Sequence, residues 1–151
     1  MSAQSKGSYE IFIYGGKVTG GTFDDIYILT IPGFRWFRVP DHYSPPRVHH
    51  ACTTVGVSLG ESDDDDRSTR RRQMLTSGGV SHEGEGRWGE DDPWQYALGI
   101  FDLTELVWKD EYDAKAEDYE TPDMIRDWYD SEYVLTICLV FDDCIAALGR
   151  P

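Results

Sequence analysis

The side chains able to do chemistry are four histidines, three cysteines and several aspartate clusters. His49 and His50 are adjacent, so an extended strand turns them to opposite faces and they cannot share one metal ion. His42 and His82 stand apart, with no Cys or Asp at ligand spacing. Cys52, Cys138 and Cys144 contain no Cys-x-x-Cys pair, and an odd number cannot pair completely within one chain. They are expected as free buried thiols, with one disulfide in an oxidising compartment as the alternative. Asp63-Asp64-Asp65-Asp66 lacks the spaced ligands and glycine of a calcium loop, and Arg67, Arg70, Arg71 and Arg72 offset its charge. Asp24-Asp25 and Asp91-Asp92 have the composition of an acid–base pair. Both lead into apolar runs, however, where aspartate side chains bond the backbone amides of a turn. There is no Gly-x-Ser-x-Gly elbow and no phosphate loop. The reading so far names no catalytic residue, no metal ligand and no cofactor.

What these residues punctuate is a repeat. The run Ile11-Phe12-Ile13-Tyr14 ends in Gly15-Gly16, and Met74-Leu75-Thr76-Ser77 ends in Gly78-Gly79. After each Gly pair come an acidic turn, a second apolar run and a tryptophan, Trp36 in the first copy and Trp108 in the second. Gly16 and Gly79 are 63 positions apart and the tryptophans 72, so the units are long. The excess fits a polar insertion over residues 58–72 and a Gly- and acid-rich loop over 81–93. The insertion has almost no apolar residue and is expected to be disordered.

Strands are predicted at residues 9–14, 26–31, 34–39, 48–57, 73–77, 95–103 and 105–109. Residues 1–8 read as a flexible lead-in and 17–23 as a loop. Residues 110–132 are acidic and aromatic without clean periodicity, and the tail from 133 is apolar. A full unit would supply four short antiparallel strands: one before the Gly pair, one ending in it, one after the acidic turn and one bearing the Trp. A sheet that is apolar on both faces cannot bury them alone, and packing several such sheets around an axis makes a β-propeller.

Bulk composition agrees with an all-β chain. The 151 residues are 40% apolar and 13% aromatic, enough for a core. The formal charge of −14 repels phosphate backbones and anionic lipid, so nucleic acid is not an expected partner. No run of about 18 apolar residues occurs to span a bilayer, and residues 1–8 lack the apolar stretch of a signal peptide.

The ordered set Gly15-Gly16, Asp25, Tyr27, Trp36, Pro46-Arg47 and His50 resembles a kelch repeat. Gly78-Gly79, Phe101-Asp102 and Trp108 resemble a second, and the match covers residues 9 to 109. Trp108, Tyr112-Asp113, Ala116, Tyr119, Pro122 and Ile125 are similar to the segment that follows the last strands in kelch-repeat proteins common in filamentous fungi. The resemblance implies a partial propeller of four-stranded blades over residues 1–130 and an irregular C-terminal tail over 131–151. It gives Arg47 and His50 a packing role, and Trp36 and Trp108 places in the blade core. It implies a non-enzymatic scaffold whose loops 17–23 and 81–93 bind a protein or carbohydrate. Relatives of this kind are often secreted or at the cell surface. Galactose oxidase also has kelch-type blades, so the alternative is a fragment of a larger oxidoreductase. Two units are fewer than a closed ring needs, which predicts either a piece of a larger propeller or closure by self-association.

Overall fold

The computed structural model describes residues 2–4, 7–40, 44–56, 72–80, 92 and 94–131. The fold is all-β with one short helix. Ten strands run in chain order: β1 (Ser2–Gln4), β2 (Tyr9–Tyr14), β3 (Lys17–Val18), β4 (Gly21–Thr22), β5 (Ile26–Ile31), β6 (Arg35–Arg38), β7 (Val48–Val55), β8 (Gln73–Val80), β9 (Leu98–Asp102) and β10 (Val107–Lys109), followed by α1 (Asp123–Tyr129). They form two four-stranded antiparallel sheets and a small hairpin. Sheet 1 has the order β1-β2-β5-β6, and sheet 2 has β10-β9-β8-β7. Each is a meander, and neither closes on itself.

Alternation sets the inner faces. Along β2 the side chains of Glu10, Phe12 and Tyr14 are buried, while Tyr9 and Ile13 are exposed. β5 repeats this with Ile26, Ile28 and Thr30 inside. Such β-branched and aromatic runs suit a pleated, half-buried strand. The inner face of sheet 1 meets Met74 and Phe101 of sheet 2 in one core, to which Leu103, Tyr119 and Ile125 also belong.

Several expectations are corrected. Residues 2–4 are not a flexible lead-in, because they pair with β2, Ser2 opposite Ile11 and Gln4 opposite Tyr9. The 17–23 segment is not an irregular loop, since Lys17 and Val18 pair with Thr22 and Gly21. β8 runs through the second Gly pair to Val80, where β7 still supplies partners. The strand predicted from Gln95 begins at Leu98, after a tight 3-10 turn in which Tyr96 has a φ of 59°. Trp36 is not core, being 52% exposed. Its neighbour Phe37 takes the inward position and packs edge-on against Trp128. Arg72 is not part of a solvated insertion either, since its guanidinium bonds Asp102 and Glu105, each at 2.8 Å. The rest of 58–72 and nearly all of the tail from 131 lie outside the described residues, as do Asp63–Asp66.

The segment after β10 straps the sheets together. Gln73 exchanges two hydrogen bonds with the Asp113 backbone, at 2.7 and 3.0 Å. The Thr104 hydroxyl does the same with Glu120, at 3.0 Å each way. The strap then reaches sheet 1, where the Tyr119 hydroxyl donates to the Glu10 carboxylate at 2.9 Å. Thr30 donates to the other carboxylate oxygen at 3.3 Å and also bonds the Tyr129 hydroxyl at 2.9 Å. α1 closes the strap over the β5–β6 turn: Gly33 donates its N–H to Tyr129 Oη at 3.0 Å, and a Cβ at Gly33 would lie 2.6 Å from the Trp128 ring.

Glu10 is fully buried. Burial raises its pKa above the ordinary 4.5, opposed by hydrogen bonds from Ser8, Tyr119 and Thr30. A carboxyl whose folded pKa is raised holds its proton more tightly when folded. Its contribution to stability is therefore full below about pH 4.5 and declines as pH rises through the folded value. Glu10→Gln should flatten that part of the thermal-midpoint profile, so that wild type minus variant falls with rising pH. A difference that rises with pH would mean the network holds the ionised carboxylate.

Candidate binding site

Both Gly pairs meet at one end of the molecule, and Arg47 is the reason. Arg47 is 2% exposed. Its backbone oxygen accepts the Gly16 N–H at 2.9 Å, and its N–H donates to Phe23 O at 3.3 Å. Its guanidinium donates to Gly78 O at 2.8 Å, pairs with the Asp92 carboxylate, and lies over the Trp94 ring at 4.2 Å. One residue thus touches the first Gly pair, the second Gly pair and the chain returning after the second loop.

The glycines are needed for that approach. Gly15 has a φ of +67°, and a Cβ there would stand 2.5 Å from Arg47 O. Gly79 has a φ of +80°, and its Cβ would stand 2.7 Å from Val48 O. Side chains rarely adopt these φ values, and none could share that space with backbone.

An aromatic cluster fills the junction behind Arg47. The Tyr14 ring lies 4.9 Å from His50 and 5.3 Å from Trp108, and Trp94 lies 4.5 Å from Trp108. The Tyr14 hydroxyl donates to the Pro45 carbonyl, and Trp108 Nε1 donates to Ser44 Oγ at 2.8 Å. Burial, then the Arg47 charge, lowers the His50 pKa, so the imidazole is neutral at pH 7. Cys52 is a half-buried free thiol within 3.5 Å of Thr76 Oγ1, and burial pushes its pKa up. A protonated, partly buried thiol is a poor nucleophile.

The structure therefore brings Gly15, Gly16, Arg47, His50, Gly78, Gly79 and Trp108 together. Asp25 lies beside them, accepting the Gly15 N–H through its carbonyl and bonding Arg38 Nε at 2.6 Å through its carboxylate. Asp102 lies elsewhere, capping the β9–β10 turn by accepting the N–H groups of Thr104 and Glu105. Tyr27 and Trp36 sit on the outer face of sheet 1. His42, His82, Cys138 and Cys144 lie outside the described residues. Among the described residues, no three His, Cys, Asp or Glu side chains converge as a metal site would require.

Two surfaces leave this end open. The β3–β4 hairpin follows the first Gly pair and exposes Val18 and Phe23. On the second unit, Gly78 near the end of β8 and Asp92 both bond Arg47. Sheet 2 also carries an open groove of about 1090 Å³ lined by Thr53, Leu75, Leu98, Ile100, Lys109 and Tyr112 among others. Tyr96 on its rim is 84% exposed. Trp94 and the groove escaped sequence reasoning, and Tyr96 was placed inside the strand predicted from Gln95 rather than on a rim.

Truncating Arg47 leaves Gly78 O and a partly buried Asp92 without their cation, so Arg47→Ala should cost about 2–4 kcal/mol in a denaturant titration. A loss under about 1 kcal/mol would show that the aromatic packing holds the junction unaided. No family model, characterised protein or solved structure matches this chain.

Proposed function

We propose that this chain is a non-enzymatic scaffold of kelch-like blades that presents its Gly-pair end to a protein or carbohydrate partner. The observation that carries the reading is the convergence of both Gly pairs on Arg47. It holds the ends of β2 and β8 at one end of the molecule, and binding sites are commonly built from loops on such a frame. The repeat of a four-stranded meander with a Gly pair at the end of its second strand and a Trp in its fourth supports the kelch-like assignment. The exposed Val18 and Phe23 give the hairpin apolar contact surface, and its rim carries Lys17 and Asp24. The neutral His50, the protonated Cys52 and the turn-forming Asp25 supply the junction with packing and hydrogen bonds. A scaffold of this kind is a fold-level expectation, and its partner is set by the loops alone.

An array of neutral oligosaccharides and displayed peptides, followed by titration of any ligand found, tests this reading. Val18→Asp combined with Phe23→Ser should weaken binding about tenfold or more, as loss of a contact hot spot does, while leaving the thermal midpoint in place. Turnover of the ligand during the assay, or undiminished binding by the hairpin variant, would contradict it.

A further inference from the structure

The repeat reveals which face of sheet 1 corresponds to which face of sheet 2. Superposing the Gly pairs sets Phe12 against Leu75 and Ile11 against Met74. Superposing the tryptophans sets Ile28 against Ile100 and Leu29 against Phe101. Phe12 and Ile28 lie on the covered face of sheet 1, whereas Leu75 and Ile100 lie on the open face of sheet 2. Ile11 and Leu29 lie on the open face of sheet 1, paired across the strands. Their counterparts Met74 and Phe101 are fully buried between the sheets. Trp36 and Trp108 agree with both superpositions: the first is 52% exposed, while the second packs against the core. Call the Phe12–Ile28 face of a unit its front and the Ile11–Leu29 face its back. Inside the chain, the front of sheet 1 meets the back of sheet 2. Left open among the described residues are the back of sheet 1 and the front of sheet 2, the two kinds of face that already pack together here.

Their shapes differ as partners should. The open back of sheet 1 is a surface of large side chains, with Tyr9, Ile13, Tyr27 and Trp36 all exposed. The open front of sheet 2 is the groove of about 1090 Å³ floored by Leu75, Leu98 and Ile100. Large apolar side chains exposed together on one sheet face, and an open groove with an aliphatic floor, mark candidate interaction surfaces. We propose that the occupant is a second copy of this chain: copies associate head to tail, the back of one molecule's sheet 1 seated in the sheet 2 groove of the next. The contact uses two different surfaces, so it is heterologous and either closes into a ring or extends.

Sedimentation velocity on the full chain across the micromolar range tests this, with two variants carrying charge of the same sign. Trp36→Glu spoils only the back and Leu98→Glu only the front. Both side chains are substantially exposed, and a retained cooperative melt confirms that each variant folds. Wild type should sediment as a multiple of the 17.2 kDa chain. Each variant alone should be monomeric. An equimolar mixture should recover one native interface and yield a dimer and nothing larger. Wild type that stays monomeric overturns the proposal, and footprinting that then finds Trp36 shielded would assign the face to the chain's own apolar run at residues 133–141. Variants that still assemble, or a mixture that stays monomeric, overturn the head-to-tail geometry.

Discussion

The fold depends on a single cation in the seam between two sheets. Arg47 is almost fully buried, and a buried guanidinium is tolerable only when its charge is paired. Here Nη1 and Nη2 are met by the Gly78 carbonyl and the Asp92 carboxylate, the Trp94 ring lies against the guanidinium face, and Nε has no hydrogen-bond partner among the described residues. The same residue's backbone bonds Gly16 and Phe23 of the first repeat, so Arg47 ties its charge partners in the second repeat to the first. The requirement fixes the residues around it: glycines where backbone must pass within contact distance, and aromatic rings where water must be excluded.

A second constraint operates at the other side of the core. Two antiparallel meanders stacked face to face would leave the strand ends and the buried Glu10 carboxylate exposed to competition from water. The strap from Asp113 to Tyr129 covers them. It satisfies Gln73, Thr104, Glu10 and Thr30 in turn, and its helix places Ile125 in the core. The strap belongs to both sheets equally, and it welds the two repeats into one body. The result is a stack with direction, since equivalent faces point the same way in both units.

Much of this was legible in the residues. The Gly pairs, the acid-led second runs and the tryptophans located the core strands of each unit, because strand alternation and turn chemistry are local signals. The Pro46-Arg47-x-x-His50 stretch was read as packing, and the structure places it at the junction. What escaped was non-local. β1 is three polar and small residues whose pairing depends on β2 rather than on its own propensity. Glu10 sits in a strand pattern at an inward position, and nothing nearby announces that Tyr119 will meet it 109 positions later. The strap and α1 lack periodicity because their side chains answer to two sheets at once. Trp36 was read as core from its place in the repeat. It is exposed because the back of sheet 1, unlike the equivalent back of sheet 2, has no neighbour among the described residues. Residues 17–23, which carry the proposed binding function, were read as a loop and form a hairpin, and their sequence is silent about a ligand.

Native-state hydrogen exchange tests the central claim that the two repeats form one cooperative body held through Arg47. The amides of β2 and β5 and those of β8 and β9 should exchange with a common free energy, that of global unfolding. Arg47→Ala should lower that value equally in both sheets. Two separate classes of exchange, with the substitution felt in sheet 2 alone, would show two independent units and contradict the account.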